Sequence, residues 1–253
     1  MTSESERTLV ELVTRLVGGY LGNVHRGPGV CATCLRPIDA GYVECYRCHS
    51  PQLGPNVPGP PELADQVALL AYGGDTYQSR QLLFGYKQPT AAAPGDQRRT
   101  VVQLLLLAAF HLHRRCLEAG VPFSHYCVVP STKSRTEHPL GDLVRGWLTA
   151  AGLDEVRLIS TGQAPGRVID PTKFAAPEVA GGHVLLIDDT WTTGSNAQSA
   201  AWSLKESGAH AVTALIVARW LEDSYATAAF LKTHPNVGYD PQACPAPGGH
   251  RSS

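Results

Sequence analysis

The stretch HVLLIDDTWTTGSNAQSAA (His183–Ala201) concentrates residue types that could do chemistry. A run of four apolar residues, Val184–Ile187, delivers two adjacent acids, Asp188 and Asp189. A turn bearing the hydroxyls of Thr192, Thr193 and Ser195 follows, with Gly194 inside it, and then a helical pattern. Paired carboxylates can hold hydroxyls or metal-bound water. A helix N-terminus exposes unpaired N–H groups and a partial positive charge, which suits phosphate. The spacing therefore describes a bipartite cradle for a molecule with both groups. A P-loop is excluded, because no lysine follows the glycine turn. Receiver domains also open on an apolar strand ending in two aspartates, but only about 65 residues follow here, too few for the rest of that fold. The remaining alternative is that the acids simply cap the next helix.

A second constellation is Cys31-x2-Cys34 with Cys45-x2-Cys48, ten residues apart. Thiolates bind zinc tetrahedrally, and two such turns supply four ligands with no open position, so the ion would be structural. The competing reading is a redox or disulfide pair, disfavoured because neither CxxC has the βα context of thioredoxin-like motifs. His49 reads as a bystander to Cys48, and Cys116 and Cys127 read as core residues. Cys244 gets no role. His111, His113, Arg114 and Arg115, with Arg98 and Arg99 close by in sequence, are either a basic patch or, in the plainer reading, a solvated face.

These groups need a scaffold. Downstream of residue 61 the chain alternates between helical and strand patterns: helices over 100–119, 140–151 and 196–207, and strands at His125–Pro130, Val156–Ser160, up to Asp189, and within Ala211–Trp220. Such alternation predicts an α/β fold, a doubly wound parallel sheet covered on both faces, with ligands outside the carboxyl ends of its strands. Residues 1–27 hold an amphipathic helix, with Leu9, Leu12, Val13, Leu16, Val17 and Tyr20 on one stripe. Residues 28–60 hold the cysteine module and a Pro-rich linker, PQLGPNVPGPPE, that cannot form a helix or a central strand. Residues 61–233 form the α/β domain, and 234–253 an irregular tail.

Composition bounds the rest. Hydrophobic residues make up 43% of the 253, charged residues 17%, and the formal net charge is −1. That is a soluble globular chain without a global field to attract nucleic acid. The longest apolar run, Val101–Phe110, is about half a bilayer span. The first twenty residues lack a basic n-region, so the expectation is a cytoplasmic protein with no signal peptide and no membrane partner.

VLLIDDTWTTGSN resembles the binding motif for 5-phosphoribosyl 1-pyrophosphate (PRPP) in type I phosphoribosyltransferases. With the cysteine module ahead of it, and YQSRQLLFGYKQ supplying Lys87, the chain is similar to the ComF-like group over about 30–220. The resemblance implies that Asp188 and Asp189 hold the ribose hydroxyls as the catalytic carboxylates, while Thr190, Trp191, Thr192, Thr193, Gly194 and Ser195 wrap the 5′-phosphate. VVPSTKSR implies a pyrophosphate loop with Ser131, Lys133 and Arg135, and the polar segment Ser160–Phe174 adds Arg167, with Gln163 and Lys173 beside it. The Arg-Gly-Phe-Asn run usual after this loop in the group is replaced here by RTEHPLGD. The implied activity is PRPP-dependent transfer to an amine or nucleobase acceptor, with Mg2+ accompanying PRPP and structural Zn2+ on the cysteines. The alternative is an accessory protein in DNA uptake or processing that binds PRPP without turnover and engages a protein partner or single-stranded DNA.

Overall fold

The computed structural model describes residues 4–17, 21–55, 57, 59–74, 77–88, 97–131, 138–164, 166–235 and 238–247. In chain order these form α1 (Glu4–Val17), β1 (Gly22–Asn23), α2 (Tyr46–His49), β2 (Gln66–Gly74), α3 (Tyr77–Gly85), α4 (Arg98–Glu118), β3 (His125–Val128) and α5 (Pro139–Ala150). There follow β4 (Asp154–Glu155), β5 (Ile159–Ser160), a 3-10 turn (Pro171–Lys173), β6 (Phe174–Ala175), β7 (His183–Trp191), α6 (Ser195–Glu206), β8 (Ala211–Leu221) and α7 (Tyr225–Thr233).

The main sheet has the order β1-β2-β8-β7-β3-β4, parallel throughout except for β1 at its edge. The central strands β7 and β8 are apolar runs with almost every residue buried, as strands covered on both faces must be. One face is covered by α1, α3, α4 and α5, which share a core with Leu185, Ile187, Leu215 and Val217. The other is covered in two parts. Ala200, Ala201 and Leu204 of α6 pack on Val184 and Leu186, while the cysteine module and Phe230 of α7 pack on Val67, Leu69, Ala214 and Ile216. The sheet is therefore doubly wound. From β3 the chain first adds β4 on one side and then returns to add β7 on the other, so the strand order reverses between β3 and β7. In such sheets the crevice beyond the carboxyl ends at that point is where ligands sit.

Several elements depart from the sequence reading. Of the expected strand Val156–Ser160 only the end forms, as β5, which pairs antiparallel with β6 in a separate ribbon, while the residues that pair with β3 are β4, just upstream of it. The Val156 N–H still donates to the Tyr126 carbonyl (2.8 Å) before the chain leaves the sheet. β2, α3 and α7 had no counterpart in the expected elements. Helix α4 kinks at His113, where φ is −124° and ψ 15°, and it stops at Ala119 in the left-handed region rather than at Gly120.

The segment 238–247 has neither helix nor strand, yet it is anchored. Asn23 brackets Asp240, its amide donating to the Asp240 carbonyl (2.9 Å) and its oxygen accepting from the Asp240 N–H (2.6 Å). The Pro241 carbonyl meets His113 Nε2 (2.9 Å), and Tyr239 and Ala246 are buried in the core. Among the described residues, no helix is long and apolar enough to cross a membrane.

Candidate functional site

β7 extends two residues beyond the paired acids, so Asp188 and Asp189 lie inside the last turn of strand and their side chains part company. Asp188 is half-buried and lines a cavity of about 420 Å3. Thr190, Thr192, Thr193, Gly194 and Ser195 line the same cavity, and across it lie Ser160, Gln163 and Arg167. The acids' neighbouring turn and the polar segment near Arg167, distant in sequence, thus face one another over a single space.

The turn is built tightly. Gly194 has φ 78°, and a Cβ there would come within 2.1 Å of the Trp191 ring, so two independent constraints require glycine. α6 starts at Ser195, directing the N–H groups of its first turn toward the cavity rim formed by Ser195, Asn196 and Ala197. Thr193 Oγ1 donates to Ser195 Oγ (3.1 Å), which orders the hydroxyls. Trp191 turns the other way, 3% exposed, into the core beneath the cysteine module.

Asp189 is not in the cavity lining. It is 4% exposed, accepts a 2.6 Å hydrogen bond from the Tyr86 phenol, ion-pairs with Lys87, and has His138 Nε2 at 3.9 Å. Burial first, then the adjacent Asp189 carboxylate, pushes the Asp188 carboxyl up to about 8; the Asp189 N–H donated to its Oδ1 (2.8 Å) and the charge of Lys87 pull the other way. A carboxyl displaced this far from its ordinary range, in a cavity beside a helix N-terminus, is a candidate functional group.

Of the other expected site residues, Ser131 is half-buried and lies three residues past the end of β3, the strand that neighbours β7. Lys133 and Arg135 lie outside the described residues. Arg167 is exposed and sits 4.0 Å from Glu222. Lys173 is bent inward: its Nζ donates to the carbonyls of Gly166 (2.9 Å) and Val168 (2.6 Å), and burial lowers its pKa. It braces the segment that carries Arg167. The Pro-rich linker also reaches this segment, since the Ile169 N–H donates to the Gln52 carbonyl (2.8 Å) and Gly54 donates back to Ile169 (3.0 Å).

Sequence reasoning missed Arg219. It is 4% exposed on β8, and its Nη1 donates to the carbonyls of Trp191 (2.7 Å), Thr192 (2.9 Å) and Trp220 (2.6 Å). Two of those carbonyls belong to the turn. An arginine at the end of an apolar strand was the available signal. Tyr86 and His138 were also missed, because neither is near Asp189 in sequence.

The four cysteines converge. The sulfurs of Cys31, Cys34, Cys45 and Cys48 lie within 4.8 Å of one another, and those of Cys34 and Cys45 are 3.7 Å apart. Zinc–sulfur bonds of about 2.3 Å in a tetrahedron give edges of about 3.8 Å, so the donor set and its size fit a zinc ion. The Cys34 N–H points at Cys31 Sγ (3.5 Å), an arrangement that favours thiolate at Cys31.

No protein-family model matches this chain, and no curated protein matches it. Solved structures do. Adenine phosphoribosyltransferase from Saccharomyces cerevisiae, in complex with adenine and an imino-altritol bisphosphate, is 25% identical, with 54% of this chain and 74% of that chain covered and a TM-score of 0.31. Adenine phosphoribosyltransferase from Leishmania donovani is 18% identical, covering 70% and 80% with a TM-score of 0.33. Orotate phosphoribosyltransferase of Mycobacterium tuberculosis H37Rv, in complex with inorganic phosphate, is 16% identical, covering 92% and 91% with a TM-score of 0.30.

Proposed function

We propose that this chain binds PRPP and transfers its phosphoribosyl group to an amine or nucleobase nitrogen, releasing pyrophosphate, as a ComF-like phosphoribosyltransferase. The observation that carries the reading is the shared cavity: Asp188, the Thr192–Ser195 turn at the N-terminus of α6, and Arg167 all line it. A sugar phosphate needs these three kinds of group, namely an acceptor for hydroxyls, a nest of N–H and O–H donors for the 5′-phosphate, and a cation for the diphosphate.

In the proposed reaction the bond from ribose C1 to the pyrophosphate oxygen breaks and the diphosphate leaves with the electron pair. The acceptor nitrogen then forms the new bond at C1 and gives up its proton. Positive charge develops on the ring in between, and Asp188 stands where it would hold a ribose hydroxyl and offset that charge. Thr192, Thr193, Gly194 and Ser195 fix the 5′-phosphate, and Ser131, Lys133, Arg135 and Arg167 receive the leaving group. Magnesium accompanying PRPP would supply neutralising charge at the diphosphate. Asp189 acts from behind the cavity, with Tyr86, Lys87 and His138 around it. Most of the rate then comes from positioning and electrostatics.

Calorimetric titration of the zinc-loaded protein with PRPP and magnesium tests the reading, with Asp188→Asn as control. Saturable binding that the variant loses supports it and leads to screening acceptors for pyrophosphate release; no binding by folded wild-type protein rejects it.

One observation favours the accessory role as a second reading. A broad cleft between the cysteine module and α7 is lined by Tyr42, Tyr46 and Tyr225, each more than two-thirds exposed, with Arg36 and Arg47 beside them. Exposed aromatics among cations suit stacked bases. Single-strand binding that falls steeply with salt and is lost in Tyr42→Ala with Tyr46→Ala would support it; salt-insensitive or absent binding would not.

A further inference from the structure

The cysteine module does not stand apart from the cradle. Cys31, Cys34 and Cys45 share one hydrophobic cluster with Trp191 of the turn and Ala197 of α6. Strand register aligns Tyr72 of β2, Arg219 of β8 and Trp191 of β7 side by side. The Tyr72 phenol donates to the Leu35 carbonyl (2.8 Å), next to Cys34, while Arg219 holds the carbonyls of Trp191 and Thr192. One row across three strands therefore runs from the cysteine knuckle to the phosphate turn.

Charge follows the same row. Arg219 is a buried cation, and among the described residues no carboxylate is recorded in an ion pair with it. Its Nε is buried without a partner. Burying an unpaired guanidinium is costly, so its charge must be balanced from somewhere. Four thiolates around a divalent ion keep a net charge of about −2, whereas four neutral thiols carry none. A zinc-loaded centre packed against the same row would supply the anion that Arg219 lacks.

We propose that zinc occupancy sets the affinity of the sugar-phosphate cradle, with Arg219 as the positioning residue that carries the coupling from the cysteine centre to the carbonyls of the turn. The inference rests on the PRPP reading for its ligand. With zinc bound, Arg219 is neutralised and stays fixed beneath Trp191 and Thr192. Without zinc, the guanidinium is drawn toward water, the turn loses the clamp on its two carbonyls, and the donors aimed at phosphate lose their alignment. The chain would then bind its ligand only where zinc is available.

The test compares zinc-loaded wild-type protein, protein stripped by a chelator under reducing conditions, and zinc-loaded Arg219→Met and Arg219→Lys. Two readouts are taken: the Kd for PRPP with magnesium, and hydrogen exchange of the amides at 191–195. Stripping and Arg219→Met should each weaken PRPP binding at least about ten-fold and speed exchange in the turn by a similar factor, with Arg219→Lys in between. Arg219→Met should retain its zinc. Kd and exchange within about two-fold of wild type in the zinc-loaded Arg219→Met protein overturn the proposal. That variant also decides the matter if stripping unfolds the whole sheet by circular dichroism. Turn exchange that responds to zinc and to Arg219 in a protein that never binds PRPP rejects the PRPP reading and leaves the coupling standing. Tight PRPP binding indifferent to both does the reverse.

Discussion

Asp188→Asn is the substitution whose effect can be worked through most fully. The folded protein pushes the Asp188 carboxyl from 3.8 up to about 8, burial being the larger cause and Asp189 the second. A group whose acid form is favoured by folding costs stability when it ionises. That cost is absent below the unfolded value near 4, grows as pH rises, and is complete above about 8. A gap of about four pH units at 1.36 kcal/mol each would amount to ~6 kcal/mol in a dry site. Asp188 opens onto its cavity, so solvent halves that figure or better, leaving about 2–3 kcal/mol. Asparagine keeps the oxygen that accepts the Asp189 N–H and never ionises. In a chain of this size each kcal/mol moves Tm by about 2–4 °C. Scanning calorimetry of the ligand-free variant should therefore show Tm raised by about 4–12 °C at pH 9 and by only about 1–3 °C at pH 5. Equal shifts at the two pH values, or a lower Tm at pH 9, would show that burial does not hold Asp188 as argued. Because a magnesium ion bound with PRPP beside Asp188 would favour its carboxylate, binding of PRPP with magnesium should release a proton near pH 7, visible as a buffer-dependent heat in titration calorimetry.

Three further perturbations follow from the same geometry. Gly194→Ala forces a left-handed alanine against the Trp191 ring and should cost about 2–4 kcal/mol of stability and at least ten-fold in PRPP affinity, measured by urea unfolding and titration. Lys87→Met strips the buried Asp189 of its cation and should destabilise by about 2–4 kcal/mol, part of which Asp189→Asn restores in the double variant; additive effects would contradict the pairing. Cobalt substitution should give the absorption of a tetrahedral thiolate site, and Cys45→Ser should reduce bound metal from about one ion per chain, whereas a redox pair would bind none.

The parts of this molecule legible in its sequence are those whose signal is local. β7, the glycine turn and the start of α6 follow one another within a dozen residues, and the cysteine pairs announce themselves by spacing. The doubly wound sheet came from alternation along the chain. β2 was overlooked although QVALLAYGG is apolar, because the Pro-rich stretch before it masked its beginning. The divergence of Asp188 and Asp189 follows from the strand continuing to Trp191, which Thr190 and Trp191, both good strand residues, could have indicated. The Tyr86, Lys87 and His138 shell around Asp189, and the clamp by Arg219, arise from strand order and helix packing. Pairings across 103 residues leave no local trace in a single sequence.

The clasp between Asn23 and Asp240 joins positions 217 apart along the chain. During synthesis, at about 5–20 residues per second, the first partner waits for ten seconds or more until the second exists. The edge strand β1 and the kinked middle of α4 must therefore be tolerable to the cell in an unclasped condition, and the clasp is fastened only after the nascent sheet has come together. Once β1, β2 and β8 are paired, only the stretch after Leu221 remains to be placed, which makes the clasp a natural last step of assembly and a natural first step of unravelling. A protease or a quality-control factor meeting this protein would find its earliest purchase there, at the seam, while the ligand cradle on the far strands was still whole.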